Sequence, residues 1–121
     1  MLKVFAYRNL HRDCWSVKAL EGNLKGRVIY HAKAVTLWNC TFKVSEAGRQ
    51  RVLREQKKNV HAGVVGMLDE STANWIPMSM GAPVTYNPYK YDSFVYKGTE
   101  AKAGSANFVY LAGNKEVTAY V

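Results

Sequence analysis

The chain has 121 residues, 48% of them apolar and 12% aromatic, and a formal net charge of +8. That length suits one domain, residues 1–121, burying about two-thirds of the surface its unfolded chain exposes, and the apolar content excludes a disordered chain. No apolar run approaches the ~20 residues needed to span a bilayer, and no charged-then-apolar leader precedes the first strand-like residues, so a cytoplasmic protein without membrane contact is expected.

In chain order, "KVFAY" (3–7) and "CWSVKAL" (14–20) alternate at strand period around the polar turn "RNLHRD" and predict an opening hairpin. "GRVIYHA" (26–32) follows the turn signal Gly22-Asn23 as a third strand. "VTLWNCTFKV" (35–44) is the clearest strand, with Trp38, Cys40, Phe42 and Val44 expected on the core face. A helix over about residues 46–58 comes next, then an apolar strand over 60–68. A Ser/Thr/Asn/Pro-punctuated section, 69–92, precedes closing strands near 93–97, 106–112 and 115–121, the last two joined by Gly113-Asn114. About eight short strands and one helix predict an α+β fold with a predominantly antiparallel sheet.

The positive charge is lopsided: residues 1–59 hold 13 Lys/Arg against four acids, while residues 60–121 hold four lysines and five acids. Clustered cations concentrate polyanions, so nucleic acid, DNA or RNA, leads as partner, with an acidic host protein as the alternative.

The helix concentrates this charge in "RQRVLREQKK". Ser45 is placed to cap it, and Glu46 suits the positive end of its dipole. At about 100° per residue, Val52, Leu53 and Gln56 group on one side with Val60, and Arg51, Arg54 and Lys58 on the other. This predicts an amphipathic basic helix, with Asn59 as its left-handed terminator. Arg51, Arg54 and Lys58 are the expected phosphate contacts, with Lys57, Arg8 and Arg12 as further candidates. Arg49 falls over the apolar side, where it pairs with an acid or reaches past the sheet edge.

Two other groups carry chemistry. Tyr86, Tyr89 and Tyr91, interleaved with Lys90 in "YNPYKY", suit base stacking or a partner contact, although tyrosines at loop ends also pack structurally. His31 and His61, beside cations, are candidate general acid and base for a nuclease or a nucleotide-using transferase. Nothing in the sequence fixes them near each other. No P-loop, GxGxxG, nucleophile elbow or HExxH occurs, and Cys14 and Cys40 lack metal-ligand spacing, so neither metal nor cofactor is expected.

"YRNLHRDCWSV", "FKVSEAGRQRVLREQKKNVHAGVVG" and "YNPYK" resemble a family of small, uncharacterised proteins of tailed bacteriophages. The resemblance carries over no catalytic residues. It implies expression in the cytoplasm of an infected bacterium, and a role in genome handling, host takeover or defence evasion. Binding of nucleic acid is therefore the leading expectation, an inhibitor docking on a host protein the second, and a histidine-dependent enzyme the third.

Overall fold

Asn9 closes the opening hairpin: its Oδ1 accepts the backbone N–H of His11 and of Arg12 at 3.0 and 3.1 Å, folding the chain between β1 (Leu2–Asn9) and β2 (Cys14–Ala19). The computed structural model describes residues 1–75, 81–113 and 116–120. β3 (Val28–Ala32), β4 (Val35–Val44), α1 (Glu46–Glu55) and β5 (Ala62–Leu68) follow. β6 (Ala82–Thr85), β7 (Val95–Tyr96), β8 (Ser105–Leu111) and β9 (Val117–Tyr120) complete the set. The nine strands form one antiparallel sheet in the order β3-β2-β1-β5-β4-β8-β9-β6-β7. The α+β class and the dominance of antiparallel pairing are as expected. The additional strand is β6, inside the section read as irregular. Asn114 of the expected Gly113-Asn114 turn lies outside the described residues, while the β8–β9 pairing it was to join is present.

The sheet curls. β1, β5 and β4 separate β2 from β8, so a flat sheet would hold those strands about 19 Å apart at ~4.8 Å per step. The indole N–H of Trp15 on β2 nonetheless donates to the carbonyl of Ala112, just beyond β8. The concave side is filled by Val4, Ala6, Val17, Leu37, Val109 and Leu111, each with none of its surface exposed. At about 25 cal/mol per Å2 of apolar area removed from water, burial of such side chains drives the folding.

Alternation in β4 breaks at Asn39. This residue has φ 50°, and the β4–β5 register shifts between Trp38 and Thr41. Val35 and Leu37 face inward before the bulge, Cys40 and Phe42 after it. Trp38 is thereby turned to the opposite face from Cys40 and Phe42, which corrects the expected core stripe. Gly66 on β5 makes room: a Cβ there would stand 2.9 Å from Cys40 Sγ and 3.1 Å from the Trp38 carbonyl.

Ser45 caps α1 as expected, its Oγ accepting the Gly48 N–H at 3.2 Å. The helix ends at Glu55, with Gln56 left-handed at φ 59° and donating its N–H to the Val52 carbonyl, not at Lys58 and Asn59. The reason is distance. Ala62 must return beside Val44, its partner in the β4–β5 ladder, so α1 lies within a hairpin connection. Ten helical residues advance about 15 Å, and residues 57–61, extended, return about 16 Å. A helix to Lys58 would leave too little chain. Val52 is the buried residue of α1, and Val60, expected to continue its apolar line, is 53% exposed. The amphipathic basic helix of residues 46–58 is accordingly not what forms. No described helix is long and apolar enough to cross a membrane.

Candidate nucleic-acid interface

Sheet pairing sorts the charges by sign. Among the described residues, no strand contains an Asp or Glu, and every charged residue in a strand is a cation: Lys3, Arg8, Lys18 and Lys43. Alternation then sorts them by face. Val4 and Ala6 point inward, so Lys3, Phe5 and Tyr7 of β1 point outward. Lys18 stands opposite Phe5 in the β1–β2 ladder, and Val65 opposite Phe5 on the other side. Lys43 stands opposite Gly63. Three lysines thus emerge on the convex face among apolar side chains.

Phe5 and Tyr7 stack with ring centroids 5.8 Å apart and planes 28° from parallel. The Phe5 ring lies across Gly63, where a Cβ would come within 2.7 Å of the ring and 2.4 Å of the Ala6 carbonyl oxygen. Beside it runs a groove of about 390 Å3 with an apolar floor of Phe5, Leu20, Val44 and Val65, bordered by Lys43 and His61. Across the same convex face the bulge presents Trp38, which stacks on Trp75 at 5.8 Å and meets Phe108 at 5.0 Å; Phe108 in turn stacks on Tyr120 at 4.5 Å.

The residues expected to contact phosphate are dispersed. Arg51 and Arg54 are exposed on α1, with Arg51 Nε donating to Glu55 at 2.6 Å. Lys57 and Lys58 are exposed in the return segment, and Arg12 in the β1–β2 turn. Arg8 instead points inward. Its side chain is 12% exposed, its guanidinium sits 5.7 Å from the Trp15 ring centroid, and Nη2 donates to Asp13. Arg49 is structural: its Nε donates to the carbonyls of Pro88 (3.0 Å) and Tyr91 (2.9 Å), and Nη1 to Glu46.

The tyrosine segment is mostly turned to internal use. Tyr86 stacks on Phe94 at 5.1 Å, and Tyr91 donates its hydroxyl to Glu100 at 2.9 Å. Tyr89 alone of the three is highly exposed, at 59%. The histidines have separate partners: β2 and β1 stand in the sheet between the strand of His31 and β5, which follows His61. His61 has both nitrogens engaged. Nδ1–H donates to the Asn59 carbonyl at 2.8 Å, which leaves Nε2 to accept the Tyr86 hydroxyl at 2.6 Å. His31 Nδ1 lies 3.1 Å from Ser16 Oγ and 3.9 Å from Cys14 Sγ. Asn9 Oδ1 is held by backbone N–H groups, so its Nδ2 donates to Ser16 Oγ, which shares a hydrogen bond with His31 Nδ1. That Asn9–Ser16–His31 chain, buried at Ser16, was not read from the sequence. Among the described residues, no group of three or more His, Cys, Asp or Glu could hold a metal ion.

An antiparallel sheet with a short helix inside a hairpin connection, and cations as the only strand charges among the described residues, defines a small basic α+β protein. Residues 1–119 match the family described as Mycobacterium phage L5 gene 82 protein, and the chain belongs to that family of phage proteins. It is 42% identical over 118 residues to the gene 82 protein of Mycobacterium phage L5, covering 92% of this chain and 90% of the relative. No solved structure matches it.

Proposed function

We propose that this phage protein binds nucleic acid through the convex face of its sheet. One observation carries the reading: every charge borne by a strand is positive, and Lys3, Lys18 and Lys43 share that face with no strand acid to neutralise them. Such a cationic face, with Glu21 held on the Lys3 backbone N–H as its nearby acid, attracts phosphate and gains counterion-release free energy when it binds. Arg54, Lys57 and Lys58, exposed in the connection that leaves β4 after Lys43, and Arg12, exposed in the β1–β2 turn, add to the positive charge of the molecule.

A histidine-based enzyme fits the geometry less well, because His61 has no nitrogen left for substrate and His31 stands on another strand. Docking on an acidic host protein draws on the same charge.

Fluorescence anisotropy of a labelled 20-mer oligonucleotide at graded salt tests the proposal. Each of Lys3→Ala, Lys18→Ala and Lys43→Ala should weaken binding and lower the log–log salt slope by about 0.7–0.9. Undiminished affinity in the triple variant, or no binding by the parent chain at low salt, refutes the proposal; capture of a host protein would then favour docking.

A further inference from the structure

We infer that the nucleic acid bound is single-stranded, and that one unpaired base lies on the Phe5 ring in the groove between Lys43 and Leu20. The inference rests on the nucleic-acid reading above. Its basis is the contrast between the groove's floor and its border. Phe5, Leu20, Val44 and Val65 supply no hydrogen-bond partner for a phosphate, and Ser45, which also lines the groove, has its Oγ engaged by the Gly48 N–H, so a phosphate would lose hydration on that floor. Lys43 at the border, and Lys18 opposite Phe5, supply the charge instead. An occupant that is apolar and flat on one side and anionic on the other matches this division. A nucleotide with its base free has that character. A duplex does not, because its bases are stacked on one another and its outer surface is phosphate and sugar.

The ring is also set for stacking. Glycine at position 63 lets Phe5 lie flat along the sheet and not stand upright from it, since any Cβ would collide with the ring at 2.7 Å. Tyr7 continues the surface at 5.8 Å. His61 has its edge nitrogens committed to Asn59 and Tyr86, so the groove meets its ring and not a free base or acid. The second ring cluster, Trp38 of β4 with Trp75 and Phe108 of β8, lies farther along the convex face, with β5 between β1 and β4. From β1 to β9 is about 19 Å at sheet spacing, room for a strand of several nucleotides.

The test uses the full chain with three labelled probes of one length: a single strand, its duplex, and a strand with every base replaced by an abasic unit. The single strand should bind at least about tenfold tighter than either other probe. Phe5→Leu, which keeps an apolar side chain, should weaken single-strand binding by about 5- to 100-fold and leave the duplex and abasic probes unchanged. Photo-crosslinking of a 5-bromouracil strand to the unmodified protein gives a second readout that needs no variant, and should map to the peptide containing Phe5 and Tyr7. Equal binding of single strand and duplex, or crosslinks confined to other peptides, overturns the inference while the polyanion reading stands. Absence of binding to all three probes overturns both.

Discussion

Arg49 fastens α1 to the loop after β6: its Nε is shared between the carbonyl oxygens of Pro88 and Tyr91, at 3.0 and 2.9 Å. The side chain is 16% exposed, and Glu46 one turn earlier takes Nη1, so the guanidinium is held on two sides. Hydrogen bonds to charged groups contribute about 1.5–3 kcal/mol. Arg49→Met should therefore cost about 2 kcal/mol in urea unfolding. Arg49→Lys should restore little, because a single ammonium cannot reproduce the fork. Arg51→Ala, on an exposed pair with Glu55, should stay within about 0.5 kcal/mol. Equal losses at positions 49 and 51 would contradict this division.

Asn39 holds a left-handed backbone, φ 50°, at the bulge that turns Trp38 to the convex face. Asn tolerates that region better than other side-chain-bearing residues, and a β-branched residue least. Asn39→Gly should leave thermal stability unchanged or slightly raised, whereas Asn39→Val should cost about 1–3 kcal/mol. Near-ultraviolet circular dichroism should also change in the valine variant, since Trp38 stacks on Trp75 only when the bulge is formed. A valine variant as stable as the parent would mean that the bulge carries no strain.

What the sequence could disclose divides along local and non-local causes. The bounds of β4 and the Ser45 cap were legible because period-two alternation and a capping hydroxyl are local signals. The end of α1 was not, since it is set by the chain length needed to bring Ala62 back to Val44. Trp38 was assigned to the wrong face because the bulge depends on Gly66 in the neighbouring strand. β6 was missed because Pro83 in a four-residue strand reads as loop punctuation. For the candidate interface, the helical cations drew attention while Lys3, Lys18 and Lys43 read as isolated strand residues. Only the ladders place Lys18 opposite Phe5 and Lys43 opposite Gly63. The sequence does carry one signal: no acid falls within any of the described strands.

The Tyr86–His61 bond sets an alkaline limit on stability. Burial pushes the Tyr86 phenol from 10.0 up to about 12, an effect opposed by Arg49 and reinforced by Glu46 and Asp92. Below pH 10 the phenol keeps its proton in both folded and unfolded chains. Between pH 10 and about 12 it ionises mainly in the unfolded chain, so the stability present below pH 10 is lost as pH rises. Tyr86→Phe leaves His61 Nε2 without its donor and should cost about 1 kcal/mol near neutrality. Its deficit relative to the parent should shrink above pH 10. A constant difference from pH 8 to 12 in denaturant titrations would count against the mechanism.

The two thiols should separate by reactivity. Cys40 is 2% exposed, its Sγ donates to the Leu37 carbonyl at 3.2 Å, and burial pushes its pKa from 9.0 up to about 12. The thiolate is the reacting form, so at pH 8 Cys40 should be alkylated only as fast as the protein unfolds. Cys14 is also buried, but it adjoins exposed turn residues 10–13 and the exposed His31, 3.9 Å from its sulfur. It should react first, by local opening of the turn, with no loss of the β-sheet spectrum. Both are free thiols, on strands that β1 and β5 separate in the sheet. Iodoacetamide labelling followed by peptide mass spectrometry should find Cys14 modified in native protein and Cys40 only after denaturant. Raising the pH from 9 towards 12 should lower folded stability through Cys40, because only the unfolded chain ionises that thiol over the range. Rapid native labelling of Cys40, or a Cys14–Cys40 bridge in non-reduced protein, would show that β4 does not bury its thiol as described.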